Sequence, residues 1–141
     1  MDERADEEYP RTGPRCRCAR DVSVNLREVL RERVGLACSG GIDSTALVLL
    51  AAEACRSRDI TRPVVIHVDH RVRVGSEIEA TMVRRLASEV GLPFVATAVS
   101  WDSSSRVRRE HELREGRYAA LARAAQHLGV DAIVTAHTVD D

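Results

Sequence analysis

The sequence predicts an α/β fold, a doubly wound parallel sheet with right-handed crossovers, on three observations. Short apolar runs alternate with segments of helical period from about residue 22 onward, in the order helix, then β-α-β-α-β-α-β. The run Val64-Val65-Ile66-His67-Val68 is nearly continuous in apolar character, as suits a parallel strand covered on both faces. Each strand is followed by a polar cluster: Ser39 to Ser44, Asp69-His70-Arg71, Trp101-Asp102, and His137-Thr138-Val139-Asp140-Asp141. In sheets of this kind ligands bind beyond the carboxyl ends of the strands, so the chemistry sits where the fold would use it.

The elements follow in order. Residues 1 to 21 carry mixed charge, two prolines and no apolar period, and are expected to be a disordered leader. Its arginines, Arg11, Arg15, Arg17 and Arg20, offer an RNA-touching arm as the alternative, against which the acidic neighbours argue. Residues 22 to 141 are then one domain. A short helix is expected over 22–32 and a first strand over 34–38. The helix after the loop runs to about Cys55, with Leu47, Leu50, Ala51 and Ala54 inward. After the second strand, Ser76 and Glu79 form a capping-box signature. The helix they open carries Ile78, Met82, Val83, Leu86 and Val90 at helical spacing, and Gly91 and Pro93 end it. Strand three is Phe94 to Val99. A long helix spans about 107–128, with Leu113, Tyr118, Leu121, Ala125 and Leu128 inward, and strand four is about Ala132 to Ala136.

Composition narrows the classes. The 141 residues sum to a formal charge of −1, so nothing global demands nucleic acid, although a local patch could bind it. The 21 basic side chains are all arginine, which excludes any lysine-based phosphate grip. Aromatic residues make up only 3%, leaving Val, Leu, Ile and Ala to fill the core. Cys38 and Cys55 sit in apolar surroundings and read as packed thiols. Cys16-Arg-Cys18 lacks the second ligand pair of a metal site. A reducing, cytoplasmic setting is expected. No segment is long and apolar enough for a membrane span, and the acidic N-terminus has no secretory h-region.

The most informative stretch is residues 34 to 50, where a short apolar strand passes through Ser39-Gly40-Gly41-Ile42-Asp43-Ser44 into a helix. Adjacent glycines leave the backbone bare for close approach. The unpaired amides of the new helix point into the loop, and the helix dipole puts partial positive charge there, making a cradle for phosphate oxygens. The spacing is neither that of a Walker loop nor the Gly-x-Gly-x-x-Gly fingerprint. It resembles the Ser-Gly-Gly-x-Asp-Ser loop of the ATP pyrophosphatases, which split ATP between its α- and β-phosphates.

Three further clusters have chemical potential. In His67-Val68-Asp69-His70-Arg71-Val72-Arg73, Asp69 can accept hydrogen bonds from a ribose or loop amides, and Arg71 and Arg73 can pair with phosphate; a solvated turn is the alternative. In Glu110 to Tyr118, Arg114 and Arg117 share a helix face and could clamp a triphosphate or an RNA backbone; a salt-bridged surface helix is the alternative. Asp140 and Asp141 suit magnesium or a general base.

Together these pieces resemble the N-terminal domain of the tRNA(Ile)-lysidine synthases. The matching stretches are Ser39 to Ser44, His67 to Arg73 with Ser76 and Glu79, Gly91-Leu-Pro-Phe94, Arg114-Glu-Gly-Arg-Tyr118, and Thr135 to Asp141. The resemblance implies an adenine nucleotide α-hydrolase-like (Rossmann-like) PP-loop domain, incomplete at its C-terminus. It implies a ligase that adenylates the C2 oxygen of the wobble cytidine and then joins free lysine to C2. The implied cofactors are ATP and Mg2+, and the implied partners are tRNA(Ile) and lysine. On this resemblance Ser39, Gly40, Gly41, Ile42, Asp43 and Ser44 form the ATP-binding loop, with Ser39, Gly40, Gly41 and Ser44 on the phosphates and Asp43 on magnesium. Backbone groups at His67 and Val68 meet the adenine, with Asp69 beside them. Arg114 acts on the triphosphate in the transition state, and Arg73 and Arg117 contact tRNA or phosphate. Asp140 or Asp141 serves as base or second magnesium ligand.

The chain departs from the family in having Arg71-Val72-Arg73 where Gly-Leu-Arg is usual, and Leu113 where Ala is usual. The family's Gln-x-Glu-Thr segment and tRNA-holding domains lie beyond the matching stretch, so the chain reads as a fragment. Its unfinished sheet edge favours association, including a homodimer. Two other readings stay open. A tRNA thiolation enzyme of the 2-thiocytidine type would carry paired Cys-x-x-Cys motifs, which this chain lacks. A non-catalytic ATP-binding module would need only the loop.

Overall fold

The computed structural model describes residues 26–57, 59–71, 75–101 and 109–136. The expected leader, 1–21, lies outside them. A helical turn at 26–29 buries Leu26 and Leu30. The elements that follow are β1 (Val34–Ala37), α1 (Ile42–Ala54), β2 (Val64–Asp69), α2 (Ser76–Val90), β3 (Phe94–Ala98), α3 (Glu110–Leu128) and β4 (Ala132–Val134).

The four strands form one sheet in the order β3-β2-β1-β4, and each pairing is parallel. The chain steps outward from β1 to β3, then returns to the other side of β1 for β4. That reversal defines a doubly wound sheet and creates a switch point between β1 and β4. Strand alternation divides the core in two. Val34, Leu36 and Val65 point to the face packed with Val48, Ala51 and Ala54 of α1 and Val83 and Ala87 of α2. Ile66 and Val68 point to the other face, against Ala120, Leu121 and Ala124 of α3.

Helix ends follow the glycines. Gly91 and Gly129 take left-handed φ values of 75° and 67° as C-caps, where a Cβ would be strained. The capping box expected from Ser76 and Glu79 does not form. Gly75 (φ 91°) is the N-cap, with no side-chain cap, and Ser76 is already helical, its hydroxyl hydrogen-bonding the Asp69 carboxyl instead. A one-sided cap appears at α3, where the Arg109 amide donates to Glu112 Oε2 at 2.8 Å.

The buried stripes are rotated from those expected. Ile78 and Met82 of α2 are 63% and 60% exposed, and Tyr118 of α3 is 39% exposed. Val83 and Leu121 are buried as expected, and Ala87, Ala120 and Ala124 join them in the contact. In α1, Ser44 and Val48 join Ala51 and Ala54 in the interior, while Leu47 and Leu50 are half-buried beside them. The reason is spacing: helices approach a sheet most closely through small side chains, and the larger residues flank the contact. β1, β3 and β4 are shorter than expected, whereas β2 runs one residue further, to Asp69. β1 ends at Ala37, though the Cys38 amide still donates to the Ile66 carbonyl at 2.9 Å. β3 ends at Ala98 and β4 at Val134. Among the described residues no helix is long and apolar enough to cross a membrane.

Gly116 sets how closely α3 lies on β3. A Cβ there would stand 2.7 Å from both Trp101 Cη2 and Val99 Cγ1, nearer than carbon atoms can approach. Replacing a helical glycine by alanine ordinarily gains about 1 kcal/mol. Here overpacking costs about 1–3 kcal/mol and outweighs it. Gly116→Ala is therefore expected to lower stability by about 1 kcal/mol in urea denaturation, net of those two effects; an unchanged or raised midpoint would show that α3 can move away freely.

Candidate functional site

A pocket of about 280 Å³ opens at the switch point. Its floor is Ala37 with Ile66 and Val68, its near wall is the loop from Cys38 to Ser44, and Arg117 and Leu121 of α3 stand opposite. Thr135 and Ala136, just past β4, close the side.

The loop is held by one buried hydroxyl. Ser44, in the first turn of α1, is only 7% exposed. Its Oγ donates to the Gly41 carbonyl at 3.3 Å and accepts from the Ser39 amide at 3.2 Å. With its proton so used, it accepts also from Ser39 Oγ at 3.2 Å. Ser39 Oγ in turn accepts from the Gly41 amide at 3.3 Å. This closed ring satisfies the loop's own side chains and leaves the start of α1 open. Gly41 is the N-cap and no side chain caps the helix. Among the described residues the first amides of α1, at the pocket wall, have no capping side chain, and the helix dipole reinforces them. Gly40, at φ 95°, takes the conformation that only glycine adopts cheaply.

β2 outruns β1. The β1–β2 register ends at Ala37↔Ile66, while β2 stays paired with β3 as far as Asp69↔Ala98. Val68 thus presents its backbone edge beyond the end of β1, and its side chain lines the pocket. His67 points the other way, because strand neighbours alternate faces. It is 1% exposed, and its Nδ1 lies 2.9 Å from the Cys38 carbonyl.

At the rim, the Asp69 carboxylate accepts from the Arg71 amide at 2.8 Å, and Arg71 takes φ 54°, the left-handed region. That is the position where the resembled family usually has glycine, which explains the preference and marks the cost of arginine there. Burial acts to raise the Asp69 pKa, but the hydrogen bonds from Arg71 and Ser76 and the Arg71 charge outweigh it, so the carboxyl lies below its ordinary value. His70 is lowered as well, first by desolvation and then by the Arg117 charge. Among the described residues its buried Nδ1 has no hydrogen-bond partner, and the Trp101 indole N–H donates to its backbone carbonyl.

Of the residues singled out from sequence, Ser39, Gly41, Ile42, Asp43, Ser44, Val68 and Arg117 come together around the pocket. Gly40 lies within the same loop. Arg114 is exposed one turn before Arg117. Both guanidinium groups lie over the Tyr118 ring, 5.8 and 5.2 Å from its centre, so they share one side of α3. His67 and Asp69 flank Val68 without lining the pocket. Arg73, Asp102, His137, Asp140 and Asp141 lie outside the described residues. Among the described residues no group of three His, Cys, Asp or Glu side chains could hold a metal alone. Asp43 is the carboxylate on the pocket wall, a donor set that fits magnesium only if a ligand's oxygens complete it. Sequence reading missed the roles of Ser44, Gly116 and Trp101 in shaping the site. Strand alternation was the available signal that His67 would face away from Val68.

Residues 15–141 match the family model described as the PP-loop domain, and the chain belongs to that family. Among curated proteins, a tRNA(Ile)-lysidine synthase of Thermus thermophilus is 42% identical over 119 residues, covering 82% of this chain and 22% of the relative. That of Bradyrhizobium diazoefficiens is 42% identical over 108 residues, covering 75% and 29%. That of Salinispora arenicola is 44% identical over 108 residues, covering 75% and 32%. The chain thus spans between 22% and 32% of the length of these three relatives. Among solved structures, the U34-tRNA thiolase NcsA of Methanococcus maripaludis, solved with its 4Fe-4S cluster, superposes with a TM-score of 0.68 at 16% identity. The match covers 86% of this chain and 46% of the thiolase, and it shows a common fold.

The rim makes stability pH-dependent. For His70 the native pKa is below the unfolded value, so the unfolded state binds more protons as pH falls. Stability is then full above about pH 6.5, the ordinary histidine value, and declines as pH falls from there toward the lowered native pKa. Asp69 adds a second loss at lower pH, since its stabilisation is present above about 3.9 and disappears as pH falls through its lowered native value. In urea denaturation from pH 7.5 to 5, His70→Gln is expected to flatten the first decline. An identical slope in the variant would assign the proton uptake elsewhere.

Proposed function

We propose that this chain carries the N-terminal part of the catalytic domain of a tRNA(Ile)-lysidine synthase, a cytoplasmic carbon–nitrogen ligase. The observation that carries the reading is the uncapped start of α1 facing Arg117 across the switch-point pocket. Amides and a guanidinium converge there on a space suited to a nucleotide triphosphate. The similarity to curated lysidine synthases then supplies the substrates, tRNA(Ile) and free lysine.

The chemistry follows from what each group can do. A ring carbonyl oxygen at C2 of cytidine is a poor leaving group. Its attack on the α-phosphorus of ATP forms an adenylate and expels pyrophosphate. The lysine amine then attacks C2, and AMP departs with the oxygen. An ordinary lysine ammonium has a pKa near 10.4, so a base must take its proton before attack. Asp140 and Asp141 are the proposed source of that base.

The chain's own residues bind and orient. The amides of Gly40 and of the first turn of α1 receive the phosphates, and the Ser39–Ser44 ring, with the Gly41 amide in it, holds those amides in place. The backbone of Val68, exposed beyond the end of β1, reads the adenine edge. Arg117 on the pocket wall and Arg114 beside it counter the negative charge that develops on the phosphates, where a fixed cation lowers the barrier most. Asp43 would hold Mg2+, which when bound supplies charge neutralisation for the departing pyrophosphate. Arg73 is positioned in sequence to meet tRNA.

Asp43→Ala should abolish magnesium-dependent ATP binding by calorimetry while leaving the fold intact by circular dichroism. Undiminished binding would remove Asp43 from the metal site.

A further inference from the structure

His67 lies in the middle of the most chemically loaded strand, yet its imidazole does not face the pocket. Val65 packs on the α1–α2 side of the sheet, whereas Ile66 and Val68 pack toward α3 and line the pocket. Alternation puts His67 with Val65, on the side away from the pocket. The side chain is 1% exposed. Its Nδ1 lies 2.9 Å from the carbonyl of Cys38, the residue that leads into the glycine loop. Among the described residues the buried Nε2 has no partner.

A carbonyl oxygen can only accept, so Nδ1 carries a proton and donates it to Cys38.

The place of that bond gives it meaning. The Cys38 amide donates to the Ile66 carbonyl, the last rung between β1 and β2. The Cys38 carbonyl is then taken by the side chain of the next residue on β2. Both ends of Cys38 are thus tied to β2, one by backbone and one by imidazole. The following amide, Ser39, enters the Ser44 ring at 3.2 Å. Turning the Cys38–Ser39 peptide would break that entry and move the loop amides away from the pocket.

We infer that His67 is a positioning residue: its Nδ1–H pins the peptide from which the Ser39–Ser44 loop departs and so sets the phosphate-binding geometry without touching the ligand. This rests on the ATP reading above and adds to it a residue on the opposite face of the sheet.

Two variants separate positioning from space-filling. His67→Asn keeps a donor close to where Nδ1 sits but loses volume. His67→Phe keeps the volume and loses the donor, leaving the Cys38 carbonyl buried and unpaired. An orphaned buried acceptor costs enough that Phe should weaken Mg-ATP binding by roughly tenfold, whereas Asn should stay within about threefold of the wild type. Asn should nonetheless melt at a lower temperature than wild type, because it leaves a cavity. A packing role gives the reverse order, with Phe binding ATP like wild type and Asn losing affinity along with stability, and that order would overturn the inference.

The bond itself can be tested without nucleotide. Long-range proton–nitrogen correlation spectra of the wild-type imidazole should show Nδ1 protonated. The Nε2–H tautomer, or a rapidly exchanging mixture, would overturn the inference. The expected tautomer in a chain that fails to bind ATP would instead count against the ATP reading.

Discussion

The Ser44 hydroxyl is the contact on which the site depends. A buried hydroxyl usually serves one neighbour; this one meets the Ser39 amide, the Ser39 hydroxyl and the Gly41 carbonyl. By closing the loop on itself it settles the side-chain hydrogen bonds internally, and the backbone amides at the start of α1 are left for something outside the chain. Gly41 enforces that outcome, since an N-cap without a side chain cannot satisfy the helix it precedes. The loop is thus stable because its hydroxyls are satisfied, and receptive because its helix is not.

The sheet supplies the second constraint. β1 is central, paired to β2 on one side and β4 on the other, and it is shorter than β2 at the carboxyl end. The chain leaves β1 as the loop at the point where β2 continues and where the strand order reverses. A gap at that junction follows from topology. Ile66, Val68 and Leu121 give it an apolar lining, and Arg117 and the loop add polar groups beside the Asp43 carboxylate. The two features suit a ligand with a flat apolar end and a polyanionic end.

Much of this was legible in the sequence because it rests on short-range rules. The alternation of elements, the glycine stops at Gly91 and Gly129, and the glycine-rich turn from strand to helix at Ser39 to Ser44 need only local chemistry. Helix rotation was not legible. Ile78, Met82 and Tyr118 fit an apolar period, but close packing on the sheet kept Val83 and selected Ala87 and Ala120 beside it, and only the full set of neighbours decides that. Ser76 shows the same competition at a helix start: its hydroxyl could cap α2 or bind Asp69, and the tertiary partner won. Arg71 hides in sequence as an ordinary arginine, although its backbone takes a shape for which glycine is the natural choice. The division of labour between His67 and Val68 follows from strand period alone, yet their shared motif invites reading them together.

The central claim is that the loop amides, the Val68 edge and Arg117 form one triphosphate-and-base site. Amide chemical-shift mapping of the nitrogen-15-labelled chain during titration with Mg-ATP tests it most directly. The largest shifts should fall on Ser39 to Thr45, Val68 and the turn around Arg117, with Gly91 and Gly129 at the far end of the sheet unmoved. Saturable shifts centred on the far end instead, among Arg33, Arg62 and Gly91, with the loop silent, would contradict the account.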